Sequence, residues 1–163
     1  MLVFSSFAAF AQEGFLAAPP KRSDFWVSPG AETALFSPSS ISVGGSLAVV
    51  YGSRFSIGFS AAWFFDMNSE LDALEINLLL RYFFVSAAED SLYAGPYLQL
   101  TGGPVIFFDL KEDAPDLAHW GRISAGLTFG WRFLLGKLFF AEPYIRLGYP
   151  YIAGIGVSAG VHF

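Results

Sequence analysis

Residues Arg122–Phe133 alternate strictly between apolar and other side chains over twelve positions. One phase contains Ile123, Ala125, Leu127, Phe129, Trp131 and Phe133, and the other contains Arg122, Ser124, Gly126, Thr128, Gly130 and Arg132. Successive side chains of a β-strand point to opposite faces. The segment therefore predicts a long strand with one apolar face and one polar face.

Two further segments, Leu74–Phe84 and Ala153–Phe163, show the same period of two. Leu79 and Phe83 interrupt the polar phase of the first segment. Globular strands usually have about 5 or 6 residues, whereas a strand that crosses a membrane needs about 9–11. The length of the alternation is thus typical of transmembrane strands.

The composition supports a membrane protein. Charged residues make up 14% of the chain and hydrophobic residues 54%, with 19 Phe, whereas soluble chains have roughly 25% charged residues. This balance excludes a disordered chain. A net charge of -5 without a basic run excludes nucleic acid as a partner. Since the chain has no Cys, we expect no disulfide, no thiolate metal site and no lipid-modified cysteine. We also expect no cofactor.

Transmembrane helices do not account for the apolar composition. A membrane-spanning helix needs about 20 consecutive apolar residues. The two long uncharged stretches, 33–53 and 91–108, contain several glycines and prolines, which are unfavourable in helix interiors. The sequence therefore predicts an all-β membrane protein.

The first residues resemble an export signal. An apolar run, Leu2–Phe10, is followed by Ala9-Phe10-Ala11, an A-x-A cleavage site, although no basic residue precedes the run. We expect a signal peptide at 1–11, a periplasmic lead-in at 12–24 and the barrel at 25–163. A buried N-terminal helix or plug is the alternative.

The remaining pattern predicts an eight-stranded antiparallel up-and-down transmembrane β-barrel. The expected strands are 25–36, 41–51, 54–66, 71–85, 91–108, 120–134, 137–149 and 151–163. We expect tight turns after the second, fourth and sixth strands and longer loops after the others, which include the acidic segment 109–119. Short turns lie on the periplasmic side of an outer-membrane barrel and longer loops lie outside.

Aromatic residues are concentrated at the ends of the expected strands, where interfacial girdles lie in such barrels. The expected girdle on the loop side comprises Trp63, Phe64, Phe65, Phe107, Phe108, Trp120, Tyr149 and Tyr151. The expected girdle on the turn side comprises Tyr51, Phe55, Tyr82, Phe84, Phe133, Phe139 and Phe163.

The last strand, Gly154–Phe163, alternates and ends on an aromatic residue. It resembles the assembly signal of the small eight-stranded outer-membrane barrels, the group that includes the OmpA transmembrane domain, OmpX and OmpW. The resemblance covers the mature chain at the level of architecture and does not single out one member. It implies outer-membrane lipid as the surroundings and recognition of Val161 and Phe163 by the barrel-assembly machinery.

Eight charged residues assigned to strand interiors each fall on the polar phase of their strand, which indicates a charged lumen. They are Glu32, Arg54, Glu75, Arg81, Arg122, Arg132, Glu142 and Arg146. Strand direction places Glu32, Glu75, Arg122 and Arg146 in the outer half of the lumen, and Arg81, Arg132 and Glu142 in the periplasmic half. Carboxylates and guanidinium groups at matched depth can form ion-pair networks. Such a network either fills and stiffens the barrel or acts as a gate. We predict a narrow porin-like channel for ions or small solutes, with a non-conducting structural barrel as the alternative.

Two other functions have weaker support in the sequence. A barrel enzyme that modifies lipid A would need a base beside a nucleophile, and neither His119 nor His162 has such a neighbour in the sequence. We therefore predict no enzyme and no catalytic residues. A surface adhesin could use the acidic loop 109–119, for which plain solvation is the alternative. Its carboxylates do not have the spacing of an EF-hand metal loop. The carboxylates concerned are Asp109, Glu112, Asp113 and Asp116.

Overall fold

A computed structural model describes residues 25–37, 40–67, 71–85, 93–109 and 122–163 of the chain. The expected signal peptide, the lead-in and the acidic loop beyond Asp109 lie outside these residues, as do Trp120 and His119. Among the described residues, no helix is long and apolar enough to cross a membrane.

Eight strands form a closed barrel in chain order, which confirms the predicted fold class. Each strand pairs antiparallel with the next one, and the last strand pairs antiparallel with the first. The strands are β1 (Phe25–Ser37), β2 (Ser40–Gly52), β3 (Phe55–Asp66), β4 (Leu71–Phe83), β5 (Gly95–Asp109), β6 (Arg122–Leu135), β7 (Phe139–Tyr149) and β8 (Ala153–His162).

The connection between β4 and β5 differs from the expected tight turn. Strand β5 begins at Gly95 rather than at residue 91, so that the connection covers residues 84–94. Before Gly95, the ring of Tyr93 lies 5.8 Å from the ring of Phe83. Tyr93 therefore packs against an inward ring of β4 instead of lengthening β5. At Gly95 the chain has a φ of +95°, a conformation that glycine adopts readily.

The two ends of the barrel carry different connections. The terminal end has Phe25, Phe163 and the connections that follow β2, β4 and β6. The loop end has the connections that follow β1, β3, β5 and β7.

The outer surface of the barrel is apolar. Ile123, Phe59 and Ile155 are 78%, 65% and 66% exposed, and the outward positions of the other strands are similar. Glu75 and Glu142, by contrast, are buried inside. A surface of this kind would be costly in water and suits contact with lipid.

Aromatic side chains fill the lumen at both ends. The loop-end layer consists of Phe64, Phe107, Tyr151, Ala34, Ala62, Ala73 and Val105, with Phe36 packed against it. The terminal layer consists of Trp26, Val50, Leu79, Phe83, Tyr97 and Phe140, with Tyr93, Ala48 and Leu134 packed against it. One layer fills the lumen near each end of the barrel.

The loop-end layer corrects part of the predicted girdle. Phe64, Phe107 and Tyr151 were expected at the lipid interface, but they are 1%, 6% and 3% exposed and point into the lumen. The reason is strand phase, because Phe64 lies two residues after the inward Ala62 whereas its neighbour Phe65 faces outward. Eight other residues of the expected girdles are at least 49% exposed: Phe65, Tyr149, Tyr51, Phe55, Phe84, Phe133, Phe139 and Phe163.

Glycines on neighbouring strands make room for the lumen rings. A Cβ atom added to Gly44, Gly130, Gly156 or Gly160 would collide with the ring of the residue paired with it. The pairs are Gly44 with Phe64, Gly130 with Tyr97, Gly156 with Tyr144, and Gly160 with Phe140. The glycine-rich polar phase of the sequence therefore supplies the space in which the aromatic layers pack.

Candidate functional site

Three charged side chains form an acidic cluster next to the loop-end layer. Arg146 Nε lies 2.9 Å from Glu32 Oε1, and Arg146 Nη1 donates to Glu75 Oε2 at 2.8 Å. The Tyr144 hydroxyl donates to Glu32 Oε2 at 3.1 Å, and Asn77 Nδ2 donates to Glu75 Oε2 at 3.2 Å. With two carboxylates and one guanidinium, the cluster has a formal charge of minus one when all three groups are ionised.

A second set of three charged side chains forms a basic cluster at the terminal end. Glu142 Oε1 accepts hydrogen bonds from Arg81 Nη1 at 2.7 Å and from Arg132 Nε at 2.6 Å. Glu142 Oε2 accepts one from the Ser158 hydroxyl at 3.2 Å, and Arg81 Nε donates to Gln99 Oε1 at 2.9 Å. Two guanidiniums and one carboxylate give the opposite formal charge, plus one.

The basic cluster is embedded in the terminal aromatic layer. The guanidinium carbon of Arg132 lies 4.0 Å from the ring centroid of Phe140 and 4.3 Å from that of Trp26. The guanidinium carbon of Arg81 lies 4.1 Å from the ring centroid of Tyr97. Stacking on ring faces stabilises a desolvated guanidinium by about 2 kcal/mol or more. The aromatic layer and the cluster thus form one unit.

The acidic cluster lies farther from the rings of the loop-end layer. Arg146 lies 5.3 Å from the ring centroid of Phe64 and 5.4 Å from that of Tyr151. Arg146 Nη2 is buried and has no hydrogen-bond partner among the described residues. This donor can therefore bind a further oxygen within the lumen.

A polar cavity of about 70 Å³ separates the two aromatic layers. Its wall includes Ala62 of the loop-end layer and both Leu79 and Tyr97 of the terminal layer. The polar part of the wall consists of Ser28, Glu32, Ser46, Ser60, Glu75, Asn77, Arg81, Gln99, Thr101, Thr128, Tyr144, Arg146 and Ser158. Pockets for drug-sized ligands have about 300–1,000 Å³, so this cavity suits water or a very small solute.

The structure brings together six of the seven predicted lumen charges and leaves Arg122 apart. Arg122 is exposed, and its Nη1 donates to the Tyr149 hydroxyl at 2.9 Å. Tyr149 is itself 50% exposed. Arg122 is the first residue of β6, so its side chain lies at the rim rather than within the lumen. The prediction that Arg122 belongs to the lumen network was therefore wrong.

The residues of the expected assembly signal lie at the terminal end, beside the first strand. The Phe163 amide donates to the carbonyl oxygen of Phe25 at 2.8 Å, and the ring of Phe163 is 69% exposed. Val161 pairs with Val27 of β1. Next to it, the ring of His162 is stacked on that of Trp26 at 5.9 Å, as part of the terminal end.

Sequence reasoning did not identify the uncharged residues that contact the lumen charges. Tyr144, Gln99, Asn77 and Ser158 bind the charged groups, and Trp26 and Tyr97 stack on guanidiniums. Strand phase was the available signal, because each of these residues lies an even number of positions from an inward residue of its own strand. Leu79 and Phe83, which the sequence shows as interruptions of the polar phase, belong to the terminal layer.

A closed eight-stranded antiparallel barrel with an apolar exterior and a charged, filled interior is the architecture of the small transmembrane β-barrels. Solved structures of this class are similar to the chain. Neisserial surface protein A is 11% identical with a TM-score of 0.68, covering 86% of this chain and 97% of its own. The N-terminal β-barrel domain of Pseudomonas aeruginosa OprF is 13% identical with a TM-score of 0.55, covering 87% of this chain and 100% of its own.

A structure described as a de novo designed transmembrane β-barrel is 10% identical with a TM-score of 0.51. It covers 88% of this chain and 98% of its own. No protein-family model and no curated protein sequence matches the chain. These likenesses show the fold of a small membrane barrel.

Proposed function

We propose that the chain is an integral outer-membrane protein whose barrel is closed in its resting state and does not conduct. The observation that carries this proposal is the burial of the terminal layer together with its ion pairs. Arg132, Glu142 and Phe83 are 1%, 0% and 0% exposed, although they line the inside of a barrel. A conducting pore would expose its lining to water along the whole lumen.

The composition of the lumen supports a structural role rather than a catalytic one. Four carboxylates are buried among the described residues. Those of Glu32, Glu75 and Glu142 each contact at least one guanidinium, and that of Asp72 accepts a hydrogen bond from Trp63 Nε1 at 3.2 Å. A buried carboxylate held in this way is fixed in position by its partner. The pairs also join strands that are distant in sequence, such as β4 and β7 through Arg81 and Glu142, and so stiffen the barrel.

A narrow channel for ions or small solutes is the second candidate. The polar cavity of about 70 Å³ favours it, because the middle of the lumen already has space and hydrogen-bonding groups for water. Conduction would require side chains of both aromatic layers to move aside.

Planar bilayer recordings of the purified, refolded chain distinguish the two candidates. We expect no single-channel steps in 1 M KCl across a range of voltages. The OprF N-terminal domain, similar in size and fold, can be recorded under the same conditions for comparison. Reproducible discrete openings of the unmodified chain would contradict the proposal and favour the channel.

The outer-membrane location and the assembly partner are part of the same proposal. The terminal Phe163 lies exposed beside Phe25, where the first and last strands meet. We expect Phe163→Ala to slow insertion into proteoliposomes that contain the barrel-assembly machinery, while spontaneous folding in detergent keeps its rate. Equal slowing in both systems would indicate a general folding defect instead.

A further inference from the structure

The lumen has its contents in a fixed order along the barrel axis. From the loop end, the order is the loop-end layer, the acidic cluster, the polar cavity, and the basic cluster within the terminal layer. The cavity wall includes residues of both layers but none of the four large rings Phe64, Phe107, Phe83 and Phe140. The large rings therefore lie beyond the cavity, on either side of it.

We propose that the cavity is an occluded binding site for a small cluster of water molecules, closed by two seals in series. One seal is the loop-end layer and the other is the terminal layer. Since a single water molecule needs at least about 10–15 Å³, a cavity of about 70 Å³ has room for several water molecules. The proposal rests on the proposed function, since a barrel that conducts at rest has no closed compartment.

The chemistry of the wall suits water. Each buried water typically makes about three hydrogen bonds. Ser46, Ser60, Thr101 and Thr128 provide hydroxyl groups around the cavity. The buried Nη2 of Arg146, another residue of the wall, has no partner among the described residues. A water molecule at this donor would supply its missing hydrogen-bond partner. Glu32 Oε1, also buried without a hydrogen-bond partner among the described residues, offers an acceptor in the same wall.

The rings, rather than the ion pairs, form the seals. In the loop-end layer, the ring centroids of Phe64 and Tyr151 are 4.4 Å apart. In the terminal layer, those of Phe83 and Tyr97 are 5.6 Å apart. Because such rings pack without room for water between them, removing one opens its layer. Replacing a carboxylate by an amide of the same size leaves the rings in place.

Cysteine accessibility tests the proposal directly, because the chain has no Cys. Ser60→Cys introduces one thiol into the cavity wall. Lys137→Cys introduces one into the exposed turn between β6 and β7 and is the positive control. The probe is a small, membrane-impermeant cationic methanethiosulfonate, applied to proteoliposomes with the barrel in a single orientation.

We expect the probe to label Lys137→Cys rapidly and Ser60→Cys only after unfolding. Adding Phe64→Ala to Ser60→Cys opens labelling from the loop end alone, and adding Phe83→Ala opens it from the terminal end alone. Ion conductance in planar bilayers appears only when Phe64→Ala and Phe83→Ala are combined. Glu142→Gln in the Ser60→Cys background leaves the thiol protected.

Four results would overturn the proposal. The first two are labelling of Ser60→Cys in the otherwise unmodified barrel and ion conductance when only Phe64→Ala or only Phe83→Ala is present. The third is continued protection of Ser60→Cys when either of these two substitutions is added. The fourth is labelling of Ser60→Cys when Glu142→Gln is added. Conductance of the unmodified chain refutes the proposed function instead, so the two failures are distinguishable.

Folding of each variant is checked by heat-modifiable gel migration. If Phe64→Ala or Phe83→Ala does not fold, Phe64→Leu and Phe83→Leu take its place. They keep an apolar side chain but lose the ring, and the same pattern of sided labelling is required of them.

Discussion

Arg132 and Glu142 form a buried ion pair, in which Arg132 Nε donates to Glu142 Oε1 at 2.6 Å. The pair lies where the ladder between β6 and β7 is interrupted, between the pairs Gly130–Tyr144 and Phe133–Ala141. Pro143, which has no N–H group to donate, lies within this interruption. The side-chain pair thus connects the two strands where their backbone pairing is weakest.

Loss of the central carboxylate is expected to be strongly destabilising. Glu142→Gln leaves Arg81 and Arg132 as two uncompensated buried cations, and breaking a buried pair costs about 3–5 kcal/mol. We expect a fall of this size in the free energy of unfolding, measured by urea titration in lipid vesicles. Arg122→Gln is the control, because Arg122 is exposed at the rim. A Glu142→Gln barrel as stable as this control would show that the pair contributes little.

The acidic cluster predicts unequal effects from two similar changes. Glu32→Gln removes the excess negative charge and leaves the pair Glu75–Arg146, so the free energy of unfolding should change by no more than about 1 kcal/mol. Arg146→Gln leaves two unpaired buried carboxylates and should cost about 3–5 kcal/mol. The two variants are compared in the same vesicles. Equal losses in the free energy of unfolding would contradict the assignment of one excess negative charge to the acidic cluster.

Replacing a lumen glycine by a larger residue is expected to overpack the lumen, because the ring of the paired residue already occupies that space. Gly156→Val places methyl groups where the ring of Tyr144 lies, and overpacking typically costs about 1–3 kcal/mol. Gly45→Ala is the control, since the nearest atom to its added Cβ is a backbone oxygen 3.9 Å away. We expect a lower urea midpoint for Gly156→Val only. An unchanged midpoint would show that the ring has room to move.

In a membrane-embedded barrel, the destabilisation caused by a charge on the outer surface depends on its depth in the bilayer. Phe129, in the middle of β6, is 47% exposed, and Leu135, at its terminal end, is 58% exposed. An arginine on the lipid face costs about 2–4 kcal/mol at the bilayer midplane and about 0–1 near the interfaces. We expect Phe129→Arg to destabilise the barrel in vesicles more than Leu135→Arg by this difference. Similar losses in both variants would place the band of lipid contact elsewhere.

The period-two alternation was enough to predict eight strands and a closed barrel with charges inside. The strand ends agree within a few residues, apart from the start of β5 at Gly95. Alternation is a local property of the chain, because each side chain's face follows from its position in the strand. For the same reason, the phase of Glu32, Glu75 and Glu142 indicated a buried position before their partners were known.

Strand phase did not show which charged side chains of the lumen contact each other. Arg122 and Arg146 were both placed in the outer half of the lumen, but only Arg146 reaches Glu32 and Glu75. The position of Arg122 at the start of β6 lets its long side chain leave the lumen. The inward rings of Phe64, Phe107 and Tyr151 were assigned to the outer girdle because closeness to a strand end was given more weight than phase.

The sequence by itself determined the strands, their two faces and the sign of the charges in the lumen, since these depend on residue type and alternation along one strand. Only the tertiary structure decided that the lumen is filled, because closure of the barrel brings together residues that are far apart in the chain. Arg81 and Glu142, 61 residues apart, meet within 2.7 Å. Likewise, the rings of Phe64 and Tyr151, carried by β3 and by the connection after β7, meet only when β1 and β8 close the sheet.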